Sequence, residues 1–178
     1  MQATALLVID AQTGLIDGDE MHDPVWEGER LLKNIGILLR KARDAFVPVI
    51  FVQDDDVAPP ESVEWRVHPL IAPVPGEASV RKVATDAFHG TDLDEKLRRA
   101  GITRLVIAGC KTEYCIDTAC RRATTLGYQV ILAADAHSTT DNGVLAADRI
   151  VAHHNHILNG LDNVEAEIST LPVAEITF

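Results

Sequence analysis

The chain has 178 residues, 47% of them hydrophobic, enough to bury a sizeable core, and residues 1–178 are expected to form a single domain. A formal net charge of −11 argues against nucleic acid, whose binding draws on clustered Lys and Arg, so the expected partner is a neutral or cationic small-molecule substrate. No charged leader precedes the apolar run at Ala5, and no apolar run approaches the roughly 18 residues that span a bilayer, so a soluble, cytoplasmic protein with no membrane partner is expected.

The first apolar run, 5–9, is nearly continuous, as expected of a parallel strand buried on both faces, and Asp10 and Gln12 follow its end. An amphipathic stretch at 30–43 predicts a helix, and a second apolar run at 47–52 predicts the next strand. The segment 54–78 then lacks periodicity and holds five prolines; it is long for a strand-to-helix connection and predicts a loop framing a site. Within it, Trp65 is a candidate face for a flat substrate or else a buried anchor. A weaker strand at 79–83 carries Lys82, and Phe88, six residues on, is a candidate pocket wall or a core contact.

Helices follow at 92–100, 113–126 and 142–158, interleaved with strands at 105–108, 130–133 and 164–168. This alternation predicts an α/β fold of the doubly wound, Rossmann-like kind, a three-layer sandwich around a six-stranded, mainly parallel sheet. In such sheets ligands bind beyond the carboxyl ends of the strands, near the point where strand order reverses. Asp10, Gln53–Asp56, Lys82, Cys110–Cys115, and Asp135 with His137 all fall at such ends.

Three cysteines, Cys110, Cys115 and Cys120, crowd into eleven residues, an odd number suited neither to a disulfide framework nor to a paired zinc-binding spacing, so reduced thiols are expected. The run Gly109-Cys-Lys-Thr-Glu-Tyr-Cys115 leaves a buried strand and enters a helix, placing Cys115 in a first helical turn. The helix dipole and free amides there favour a thiolate and can form an oxyanion hole. A carboxylate on one strand end, a lysine on another and a cysteine on a third can converge in a cleft, with Lys82 lowering the thiol pKa and Asp10 moving its proton.

The segments LLVIDAQ, RKVATDAFHGTDL, LVIAGCKTEYCIDTACRRATTLGY and DAHST resemble the isochorismatase-like cysteine hydrolase superfamily over nearly the whole chain. The resemblance implies that Asp10, Lys82 and Cys115 are a catalytic triad, that the amides of Lys111 and Cys115 form the oxyanion hole, and that the Cys110–Lys111 peptide is cis. It also implies a thioester acyl-enzyme, no cofactor, and a homodimer or larger homo-oligomer, with the stretch 150–161 as the contact surface. Gln12, Trp65, Phe88 and Tyr114 are the candidate substrate-binding residues. A C–N bond in an amide, lactam or ureido compound is the expected target; a vinyl-ether hydrolase or a catalytically idle member of the fold are the alternatives.

Nicotinamidases of that superfamily carry a metal motif, Asp-x-His, where this chain reads Gln53-Asp54-Asp55-Asp56, so no metal is expected and the acidic triplet is read as solvated. Thr112 is read as a helix cap and His137 as a packing residue rather than a catalytic base. His153 and His156 are read as surface groups, and Cys110 and Cys120 as small buried side chains.

Overall fold

The computed structural model describes residues 3–178. Among them, seven strands form one sheet: β1 (Thr4–Ile9), β2 (Val49–Asp54), β3 (Ala78–Lys82), β4 (Arg104–Cys110), β5 (Gln129–Ser138), β6 (Asp162–Asn163) and β7 (Ala166–Leu171). Their order is β3-β2-β1-β4-β5-β7-β6, and every neighbouring pair is parallel except the β6–β7 ribbon at one edge. Five helices join them: α1 (Thr13–Ile16), α2 (Gly28–Asp44), α3 (Leu93–Arg99), α4 (Asp117–Thr125) and α5 (Ala147–Leu158).

The period-2 geometry of strands explains why the apolar runs are continuous rather than alternating. Leu6, Val8, Phe51, Val106 and Ala108 face a core shared with α2, while Ala5, Leu7, Ile9, Val52, Leu105 and Ile107 face a second core shared with α3 and α4. Helix α2 presents Leu31, Leu32, Ile35, Leu38, Leu39 and Ala42 at helical spacing to the first core, so sheet burial fixes its rotation. Strand order changes direction at β1 and β4, which pair in register from Thr4–Arg104 to Ile9–Gly109, and the expected cleft lies beyond their carboxyl ends.

Three details differ from the sequence expectation. The sheet has seven strands rather than six. The expected final strand, 164–168, begins later, because Val164 takes a left-handed backbone (φ 57°) in a tight turn that folds Asp162–Asn163 back against β7. Helix α5 starts at Ala147 rather than 142, because the Asn142 and Asp141 side chains cap the preceding loop by bonding the amides of Val144, Leu145 and Ala147. The apolar residues Ile150, Val151 and Leu158 of α5 turn inward and leave Ile157 exposed.

Candidate active site

The site is built from the carboxyl ends of four neighbouring strands, β3, β2, β1 and β4. Asp10 follows β1 in a left-handed conformation (φ 49°), which Asp tolerates better than most residues, and this turns its side chain over the sheet edge. Lys82 is the last residue of β3, pairs in register with Asp54, the last residue of β2, and has a fully buried side chain. Cys115 follows β4 in a wide turn, Thr112–Ile116, in which the Ile116 N–H donates to the Lys111 carbonyl at 3.2 Å. The Cys110–Lys111 peptide leading into that turn is cis.

Lys82 is the hub. Its Nζ lies 3.0 Å from Asp10 Oδ2 and 3.4 Å from Cys115 Sγ, and it forms a close ion pair with Asp54. An ammonium has three hydrogens, and here it meets three acceptors on three separate strand ends. A carboxylate oxygen of Asp10, one of Asp54 and the Cys115 sulfur all lie within 4.8 Å of one another, close enough to hold a small cation. The cation they share is the Lys82 ammonium.

Burial pushes the Asp10 carboxyl up to about 6, against the pull of Lys82, which leaves it a stronger base than an ordinary carboxylate. Burial works against the Lys82 charge as well, yet Asp10, Cys115 and Asp54 more than offset it and hold the ammonium above its usual range. Burial, and after it the Asp10 charge, pushes the Cys115 thiol up, and Lys82 only partly counters this. Burial and a neighbouring carboxylate outweigh the lysine and favour a thiol beside a competent base over the thiolate that a first helical turn favours.

The cleft above these groups has a volume of about 310 Å³ and is lined by Asp10, Leu15, His22, Asp54, Asp56, Val57, Lys111, Tyr114 and Cys115. Tyr114, 54% exposed, stands on its wall. Gln12 does not line it: the side chain is fully buried, donating to the carbonyls of Asp54 (3.0 Å) and Trp65 (2.8 Å) and accepting from the Asp54 N–H (2.8 Å). It is a strut. Trp65 is likewise an anchor, buried with its indole N–H on Asp55 and the Arg81 guanidinium over its ring, while Phe88 stacks on Tyr128 in the core beneath the sheet.

The loop 54–78 reaches the cleft through Asp54, Asp56 and Val57 only, because Trp65 ties its middle down. The Thr112 hydroxyl caps no helix amide; it pairs with His137 Nδ1 at 2.9 Å, and His137 Nε2 meets Asn155 Oδ1 at 3.0 Å. Burial holds His137 down to about 4, so it is a neutral packing group outside the cleft. Cys110 and Cys120 are fully buried free thiols.

Asp54 and His22 are site residues that sequence reasoning did not single out. His22 belongs to the segment between α1 and α2, where Asp19 accepts from its ring and from its amide. Asp54 was visible only as one of three consecutive aspartates. The signal that separates it is register, since it is the strand residue directly opposite Lys82.

A carboxylate, an ammonium and a thiol meeting at the switch point of a doubly wound sheet define a thiol-centred α/β protein with a small-molecule cleft. The isochorismatase domain model matches residues 4–171, and the chain belongs to that family of hydrolases. It is 38% identical over 141 residues to a streptothricin hydrolase of Streptomyces noursei, covering 77% of this chain and 50% of that protein. It is 31% identical over 176 residues to an isochorismatase family protein of Bacillus subtilis, covering 94% and 96% respectively. The crystal structure of an isochorismatase family protein superposes with a TM-score of 0.85 at 31% identity, covering 96% of this chain and 99% of that one. The chain spans about half the length of the streptothricin hydrolases it matches.

No helix among the described residues is long and apolar enough to cross a membrane.

Proposed function

We propose that this protein hydrolyses the C–N bond of a small amide, lactam or ureido compound through a thioester on Cys115. The observation that carries the reading is the buried Lys82 ammonium held between Asp10 (3.0 Å) and the Cys115 sulfur (3.4 Å), both of which line the cleft.

In the first half-reaction Asp10 takes the thiol proton as sulfur attacks the carbonyl carbon, and Lys82 offsets the charge that the pair develops. The amides of Lys111 and Cys115 stabilise the resulting oxyanion, a contribution worth about 3 kcal/mol per donor in comparable sites. Asp10 then gives the proton to the leaving nitrogen, the C–N bond breaks, and the acyl group stays on sulfur. In the second half Asp10 takes a proton from water as its oxygen attacks the thioester carbon, the C–S bond breaks, the proton passes to sulfur, and the acid product leaves. The Asp10 carboxylate and the Cys115 thiol end as they began, and no cofactor takes part.

The relative from Streptomyces noursei is named a streptothricin hydrolase, which makes streptothricin one compound for a substrate panel. Release of amine or ammonia from that panel, with Cys115→Ala beside the parent protein, tests the reading. Cleavage that disappears in the variant supports it; a vinyl ether cleaved equally by both proteins replaces it.

A further inference from the structure

The mechanism above uses Asp10, Lys82 and Cys115 and leaves Asp54 without work, although Asp54 is bound to Lys82 as directly as Asp10 is. Its position is fixed from two sides. The Gln12 amide clamps its backbone N–H and carbonyl, and its Oδ1 accepts from the Asp56 N–H at 2.9 Å, which leaves Oδ2 for the lysine.

Charge counting shows what a second carboxylate does. With Asp10 alone, one ammonium would meet one carboxylate, and the thiol proton could leave to solvent with little electrostatic cost. With Asp54 present, two carboxylates share one ammonium, so the group already carries one net negative charge while the thiol is protonated, and loss of that proton would raise it to two.

We propose that Asp54 is a positioning residue of this site: acting through Lys82, it keeps one proton on the Asp10–Cys115 pair until the leaving nitrogen takes it. This rests on the thiol reading of the site. Its balance is complete without any further reactant. The proton starts on sulfur, passes to Asp10 as the C–S bond forms, and ends on nitrogen as the C–N bond breaks. A site that lost it beforehand would expel an amide anion, a far poorer leaving group than an amine.

Other titratable groups lie around the cleft. Asp10 comes from the end of β1, Asp54 and Asp56 from the end of β2, Lys82 from β3, Lys111 from the turn after β4, and His22 from the segment between α1 and α2. All but Asp54 are common to the parent and an Asp54 variant, so the difference between the two profiles isolates Asp54.

The test is the rate of iodoacetamide alkylation of Cys115 in the full chain, followed by peptide mapping from about pH 6 to pH 10, where thiolate fraction sets the rate. Asp54→Asn is expected to speed alkylation about tenfold across this range, the equivalent of a profile displaced down by about one pH unit, and to slow amide cleavage at the same pH. Asp54→Glu, which keeps the charge, is expected to retain the parent profile. An Asn profile that superimposes on the parent's, or moves upward, overturns the proposal. Asp54→Ser carries the same test if the Asn variant fails to give a cooperative melt. Asp10→Asn separates the two levels. If it shifts the profile and Asp54→Asn does not, Asp54 alone is wrong; if neither shifts it, the coupling of Asp10 to Cys115 is wrong as well.

Discussion

The approach of β1 to β4 that creates the cleft depends on one missing side chain. At Gly109 the backbone has φ 129°, a conformation essentially restricted to glycine, and a Cβ there would sit 2.8 Å from the Ile9 carbonyl carbon and nearer still to its oxygen. Gly109→Ala must therefore adopt a disfavoured conformation and push Ile9 away by more than an ångström across a register pair. The conformation costs about 1–3 kcal/mol, and opening the strand pair weakens about two ladder hydrogen bonds at about 1 kcal/mol each, for about 3–5 kcal/mol together. With a urea slope of about 2 kcal/mol/M, the unfolding midpoint should fall by about 1.5–2.5 M. Gly127→Ala is the control: it has a positive φ (92°) but nothing within 4 Å of the added carbon, so only the conformational share of about 1 kcal/mol applies. Because Ile9 precedes Asp10, any folded Gly109→Ala protein should also lose most of its activity. Equal midpoint losses for the two variants would refute the argument from close approach.

His137 gives a pH prediction. Its folded pKa of about 4 lies below the 6.5 of an exposed histidine, so its contribution is fully present above pH 6.5 and is lost as pH falls from 6.5 towards 4. The whole swing is about 3 kcal/mol, and urea midpoints of His137→Gln should lose that part of the parent's acid sensitivity while turnover per folded molecule persists. An unchanged acid slope would contradict the assignment. Gln12→Ala removes three buried hydrogen bonds and should cost about 3 kcal/mol by calorimetry, with kcat/KM falling because Asp54 loses its clamp. Retained stability would mean that water replaces the strut.

Much of this was legible in the chain because local chemistry and tertiary environment agree. The runs at 5–9 and 105–108 are apolar at every position since both faces of β1 and β4 are buried; Asp10 is recognisable as the polar residue that ends the first, and Cys115 as a cysteine in the turn that follows the second. Lys82 is harder. β3 is a short edge strand with alternating exposure, and nothing local distinguishes a lysine that will be fully buried from one facing solvent. Resemblance supplied it; its burial follows from two carboxylates on other strands. Asp54 and Asp55 look alike in sequence but diverge by strand parity, one reaching Lys82 and the other Arg81 and the Trp65 indole. Gln12 is hard for a related reason. A polar residue just past a strand end reads as a pocket wall, and only the long-range backbone acceptors 42 and 53 residues away reveal a brace; for Trp65 the buried anchor of the two readings holds. The environment of Cys115 was not legible either, because burial and the Asp10 charge, both tertiary quantities, outweigh Lys82 in pushing the thiol up.

The central claim is that Cys115 carries the acyl group. Acid-quenched intact mass spectrometry during turnover of the best amide tests it directly. The account predicts an added acyl mass on the peptide containing Cys115, removed by hydroxylamine and absent in Cys115→Ala. Sustained amide turnover by Cys115→Ala at the parent's rate, with no adduct on the parent, would contradict it.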